Sequence, residues 1–148
     1  MSKLQKLAEG RTPSLKAHVP HRSEIANHLA RAGELLDEAS IKRLSERSRF
    51  NSYYESCHQS CLAGLKLAGY RPAEGLGHRQ IAFQAVEHAL PISKPAIVAM
   101  AEANSLRGKT EYDAALFDVS HALLDAIAGA ARELLDEARI QLKRAKTS

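Results

Sequence analysis

Apolar residues recur at helical spacing through almost the whole chain beyond Arg22, and strict alternation of apolar and polar residues occurs nowhere. The last segment is the most regular: Leu123, Ile127, Ala130, Leu134, Ala138 and Leu142 fall on one helix face. Ile25, Leu29, Ala32, Leu36 and Ala39 form a first such stripe. Phe50, Tyr54, Cys57, Cys61, Leu65 and Ala68 form a second. A shorter helix is expected through Ile81, Ala82, Ala85, Val86 and Ala89, ending near Pro91. Another is expected through Ile97, Met100, Ala101 and Asn104. Capping residues fit this division. Ser23, Ser93 with Pro95 behind it, and Asp118 or Ser120 can open helices, and Gly69 followed by Pro72 can close one. The expected fold class is all-α, an up-and-down bundle of four to five helices, with no strand.

Alanine dominates these stripes. Small side chains let helices approach closely, but each buries little area, and burial stabilises by about 25 cal/mol per Å². Such a core gains from a further apolar surface, so a homodimer or a heteromer is expected.

Length and composition set the outer limits. With 148 residues, 45% apolar and 26% charged, the chain suits one globular domain with a core of its own. No apolar run approaches the roughly 20 residues that cross a bilayer, so no membrane association is expected. The first residues lack the apolar centre of a secretory signal, and two cysteines without export suggest reduced thiols; a cytoplasmic location is expected. Net charge is +4 and the isoelectric point about 9.2, which allows a nucleic-acid partner. Lys3, Lys6, Arg11 and Lys16 stand against Glu9 alone in residues 1–20, where Gly10, Pro13 and Pro20 interrupt any periodicity. That stretch reads as a flexible basic arm, followed by a single helical domain over 21–148.

One segment concentrates hydrogen-bonding chemistry between two apolar stripes: Ser105-Leu106-Arg107-Gly108-Lys109-Thr110-Glu111-Tyr112-Asp113. With Arg49-Phe50-Asn51-Ser52-Tyr53-Tyr54 leading into a small-residue helix, Gly77-His78-Arg79-Gln80 with Phe83, and an Ala/Leu-rich last helix, it resembles the HEPN family over about Arg49 to Leu142. These are small helical bundles of prokaryotic ribonucleases, toxins and nucleotidyltransferase partners. The resemblance implies a dimeric bundle whose late motif lines a cleft. Catalytic relatives carry Arg, four to six residues, then His; here Tyr112 and Asp113 stand where the His is expected.

The candidate binding residues are Arg107, Lys109, Glu111, Tyr112, Asp113, His78 and Arg79. A guanidinium at Arg107 can hold a phosphate bidentately, with Lys109 as a second cation. Equally, Glu111 or Asp113 can pair with Arg107 in a structural network. Tyr112 is a poor substitute for a histidine, because a phenol titrates near pH 10 and an imidazole near 6.5. His78 and Arg79 lie at a loop-to-helix boundary, where a helix N-terminus favours anions. Arg71 and His78 have the Arg-to-His spacing, but Pro72, Gly75 and Gly77 intervene. Cys57-His58-x-x-Cys61 offers three metal-type ligands and lacks a second cluster, so packed thiols are expected and no metal or other cofactor.

The leading functional expectation is a non-catalytic binding module pairing with a nucleotidyltransferase or toxin in a two-gene toxin–antitoxin or defence system. A metal-independent endoribonuclease acting on RNA through Arg107, with a histidine from elsewhere, is the alternative. A third follows relatives in which a motif tyrosine accepts AMP from the paired nucleotidyltransferase, which would make Tyr112 the acceptor.

Overall fold

The computed structural model describes residues 2–75, 77–112 and 118–145, with backbone alone at 109–112. Helix α1 spans Lys3–Leu7 and strand β1 Leu15–Ala17. Helices α2 (Arg22–Ala39) and α3 (Glu46–Leu67) follow, then strand β2 (Tyr70–Pro72). The short α4 (His78–Ala85) runs into a single 3-10 turn, Val86–His88. Helices α5 (Lys94–Tyr112) and α6 (His121–Arg144) complete the chain.

Contacts between the four long helices fix their directions. Arg49 Nε donates to the Ala39 carbonyl at 2.8 Å, and further along Ser56 Oγ donates to the Ala32 carbonyl at 2.8 Å, so α2 and α3 are antiparallel. Tyr54 meets Asn104 and Cys61 meets Met100 in the order of an antiparallel α3–α5 pair. Glu46 approaches His121 and Tyr53 approaches Arg132, which makes α3 and α6 parallel. The result is an up-down-up-down helical bundle with α4 laid across one side.

α3 is buried far beyond the single stripe its sequence suggests. Ser52, Tyr53, Ser56, Leu62, Ala63 and Gly64 are buried as well as Phe50, Tyr54, Cys57, Cys61 and Leu65, whereas Ala68 is exposed. The reason is that α2, α4, α5 and α6 all pack on it. Small residues make this possible. A Cβ on Gly64 would come within 2.7 Å of the Leu90 side chain, so only glycine admits the chain segment after α4 this closely. On α2 the buried residue is Leu35 rather than Leu36, which is half-buried.

Side chains from neighbouring elements close the helix ends. Ser45 and Ser120 cap α3 and α6 by accepting from Ser48 N and Leu123 N. Ser93 Oγ accepts from Ala96 N at 3.3 Å at the start of α5, and Glu133 of α6 accepts both from Ser93 N at 2.5 Å and from its hydroxyl at 2.7 Å. Arg22 Nη1 donates to the Leu142 carbonyl at 3.0 Å, satisfying the C-terminal turn of α6. α2 starts at Arg22 behind His21, which makes no side-chain cap bond, so Ser23 lies inside the first turn instead of capping it.

One expectation is revised. Strands do occur: β1 pairs antiparallel with β2, Leu15 opposite Pro72 and Ala17 opposite Tyr70. Three residues each are too few to show an alternating pattern. In the N-terminal segment Leu4 and Leu15 are buried in the core, and Ala73 N donates to the Ser14 carbonyl at 2.8 Å. Past the strand, His18 contacts Glu24 at 3.0 Å, and Glu24 pairs with Lys66. Lys66 also donates to His28 Nε2 at 2.9 Å, while His28 Nδ1 lies 2.7 Å from Gln59 Oε1. The Lys66 bond is the main cause holding the Glu24 carboxyl below its ordinary range, and burial lowers His28. Among the described residues, no helix is long and apolar enough to cross a membrane.

Leu134 is fully buried on α6, so Leu134→Ala should destabilise by about 2–5 kcal/mol in urea denaturation; a loss below about 0.5 kcal/mol would place the core elsewhere. Gly129 is exposed in mid-α6 with nothing within 4 Å of an added Cβ. Gly129→Ala should therefore stabilise by about 0.5–1 kcal/mol, through helix propensity alone.

Candidate functional site

Asn51, Tyr54, Glu55 and His58 follow one another at helical spacing along one face of α3, where Asn51 and Glu55 stay half-buried. α4 and α5 meet that face. Residues 105–112 are helical: α5 continues through Gly108 to Tyr112, and Gly108 does not adopt a left-handed backbone. Asn104 and Arg107 therefore sit one turn apart on α5 and both reach α3.

Arg107 is the centre of the contact. Its Nη1 donates to Asn51 Oδ1 at 3.0 Å and lies 3.8 Å from Glu55 Oε1. Its guanidinium carbon stands 4.6 Å from the centroid of the Tyr54 ring. Arg79 enters from α4: Nη1 donates to Glu55 Oε2 at 2.8 Å, and its guanidinium stands 5.6 Å from the same ring. Tyr54 donates its hydroxyl to Asn104 Oδ1 at 2.7 Å and packs edge-on against Phe83 at 5.3 Å. One aromatic ring and one carboxylate thus organise two arginines. Each cation–π contact is worth about 0.5–1 kcal/mol at an exposed site and more as water is removed. Pairs this exposed add about 0–1 kcal/mol each, so the stack and the Asn51 bond do more than Coulomb attraction to fix Arg107.

These residues line an open cleft of about 350 Å³, bounded by Tyr54, Gly75, Gly77, His78, Arg79, Gln80, Asn104, Arg107 and Gly108. Through Gln80 and Asn104 it continues into a groove of about 380 Å³ between α4 and α5, floored by Phe83, Ile97 and Ala101. Arg107 keeps 25% of its side chain exposed and Arg79 keeps 39%, so both guanidiniums remain reachable. His78 is the first residue of α4, placed there by Gly77 in the left-handed conformation (φ 81°). Its ring meets His58 edge-on at 5.8 Å.

The structure therefore brings Arg107, Arg79 and His78 together. Arg71 is elsewhere, in β2, with Nη1 3.5 Å from the Pro72 carbonyl, so it does not join His78 as the sequence spacing allowed. Lys109, Glu111 and Tyr112 occupy the last turns of α5, where only backbone is described, and Asp113 lies outside the described residues; their pairing and any acceptor role at Tyr112 are not addressed by this geometry. Asn51, Glu55 and Asn104 were not selected from the sequence. The signal that would have found the first two is the polar i, i+4 pair on a helix whose other faces are all buried.

The remaining candidate cluster is interior. Cys57 and Cys61 are buried free thiols, and Cys61 Sγ lies 3.7 Å from Met100 Sδ. Burial pushes both thiols well above the ordinary range. His58 is buried between them and α4. Burial first, then Arg79, His78 and His28, pull its imidazole down to about 3. Among the described residues no three His, Cys, Asp or Glu side chains are grouped to hold a metal ion.

No family model, curated protein or solved structure matches this chain.

Both thiols should be inert to a thiol reagent in the native protein and react on unfolding, because the thiolate is the reacting form and burial opposes it. Rapid native labelling at either cysteine would show that α3 is open on this side.

Proposed function

We propose that the chain is a non-catalytic binding module of the HEPN type, one member of a two-gene toxin–antitoxin or defence pair. It docks a nucleotidyltransferase or toxin protein through the Arg107 cleft. The observation that carries this reading is the immobilised Arg107 guanidinium, held by Asn51, Glu55 and the Tyr54 ring on the floor of an open cleft. A cation already fixed in place loses little side-chain freedom when a carboxylate or phosphate of a partner arrives. The helical bundle and its alanine-lined core support the family likeness. They also support a homodimer or heteromer, since small core residues leave room for stabilisation by a partner surface.

The experiment is co-expression with the adjacent reading frame, followed by affinity measurement on wild type and Arg107→Ala. Losing a charge-assisted hydrogen bond costs about 1.5–3 kcal/mol, so binding should weaken tenfold or more. Unchanged affinity would sink the reading.

A second reading draws on a specific observation: His78 lines the same cleft as Arg107. In a ribonuclease of this kind Arg107 would orient the phosphate and His78 would carry the proton. RNA incubated with the purified protein and EDTA decides between the two. The binding-module reading expects no cleavage. Cleavage lost in both Arg107→Ala and His78→Ala would establish the enzyme instead.

A further inference from the structure

We infer that α4 is an acid-released cover: protonation of His58 unseats the helix His78–Ala85 from α3 and removes one wall of the Arg107 cleft. The inference starts from how His58 is enclosed. It is 6% exposed, and neither ring nitrogen reaches a hydrogen-bond partner among the described residues. Its cover is supplied by α4: the His78 ring stands edge-on at 5.8 Å and the Phe83 ring edge-on at 6.1 Å. A neutral imidazole tolerates this apolar, aromatic enclosure. An imidazolium carries two N–H donors and a charge, and finds no acceptor there.

The charged and titratable surroundings do not favour a cation either. From α4 come His78 and Arg79, and from α2 comes His28. One turn earlier on α3 itself lies Glu55, which already accepts from Arg79 at 2.8 Å and sits 3.8 Å from Arg107. Two flanking thiols, Cys57 and Cys61, are held neutral by burial. A proton on His58 would therefore add a further positive charge to a group of basic side chains.

Exposure of the ring is the remaining way to accommodate the proton, and α4 is the element that yields most readily. α2 and α6, which also pack on α3, are helices of 18 and 24 residues, whereas α4 has 8. α4 holds to α3 through the Arg79–Glu55 bond and the Phe83–Tyr54 contact, and it buries three residues, Ala82, Phe83 and Ala85. Gly75 (φ 125°) and Gly77 (φ 81°) precede it in backbone conformations that glycine adopts without steric cost. Short elements with few buried contacts open at the lowest free energy.

The direction with pH follows from linkage. A histidine lowered to about 3 when covered and near 6.5 when solvated favours the covered state fully above pH 6.5. That preference is lost as pH falls from 6.5 toward 3. The open-to-closed ratio should rise tenfold per pH unit in this window, about 30-fold by pH 5. His78, Arg79 and Gln80 leave with α4, so the cleft loses its α4 wall. Only the link to partner release rests on the function proposed above; movement of α4 does not.

The test is hydrogen exchange of the full chain at pH 7.5 and pH 5, corrected for intrinsic rates, on wild type, His58→Phe and His58→Leu. In wild type, protection of the α4 amides should fall about 30-fold at pH 5 while α6 amides keep theirs. In whichever variant folds, the α4 change should disappear. Unchanged α4 protection in wild type would overturn the inference. So would an equal loss in the variants, or a loss in α6 matching that in α4. A histidine NMR titration provides an independent check. His58 titrating near 6.5 with no accompanying shift in α4 resonances would also overturn it.

Discussion

The burial of most of α3 is the constraint on which the rest of this molecule depends. Polar side chains on a helix this covered must look to neighbouring helices for their partners, because little water reaches them. Ser56 solves this locally, by donating to the Ala32 carbonyl across the α2 interface. The stretch from Asn51 to Glu55 solves it by recruiting charge. Asn51 takes Arg107, Glu55 takes Arg79 and approaches Arg107, and the Tyr54 hydroxyl takes Asn104. The cleft is thus the outer edge of an interior requirement. The side chains that orient α4 and α5 against the central helix are the ones left partly accessible.

The same enclosure explains the roles of the small residues. Ser52, Ser56, Ser60 and Gly64 are spaced four apart along α3, and all are buried. Small side chains at these positions let the neighbouring elements approach α3 closely. At Gly64 the first obstacle is Leu90, whose side chain follows the 3-10 turn after α4. Close approach there sets where α5 begins, and so which α5 residues come level with Asn51 and Tyr54. The position of Arg107 in the cleft is partly decided thirteen residues along α3 from its hydrogen-bond partner.

The helical periodicities made most of the bundle legible. The α6 stripe and the Ser120 cap are found where spacing and capping chemistry put them, because α6 is amphipathic and has a single buried face. α3 was under-read because a helix buried all round carries no single stripe. β1 and β2 were missed because their pairing joins residues 55 apart, a relation no local pattern carries. At the site, Arg107, Arg79 and His78 stood out as residue types with chemistry. Their partners Asn51, Glu55 and Asn104 did not, since an ordinary polar residue on a helix becomes meaningful only when the facing helix is known. Gly108 lies inside α5 all the same. Glycine weakens a helix by about 1 kcal/mol, and packing of α5 on α3 and α6 outweighs that.

The pairing of β1 with β2 has a consequence for the order of assembly. Leu15 and Pro72 can be opposite each other only after α2 and α3 have folded back into their hairpin, since those helices form the whole connection between the strands. Three residue pairs cannot meet the entropy of closing so long a loop on their own. The residues of β1 therefore settle after the helical hairpin. Once settled, they act as a latch, with Leu15 sealed in the core and Ser14 bonded to Ala73. Anything that draws the N-terminal segment away, whether a protease cut near Gly10 or a competing strand laid along β2, would loosen the helical hairpin at its strand-bearing end.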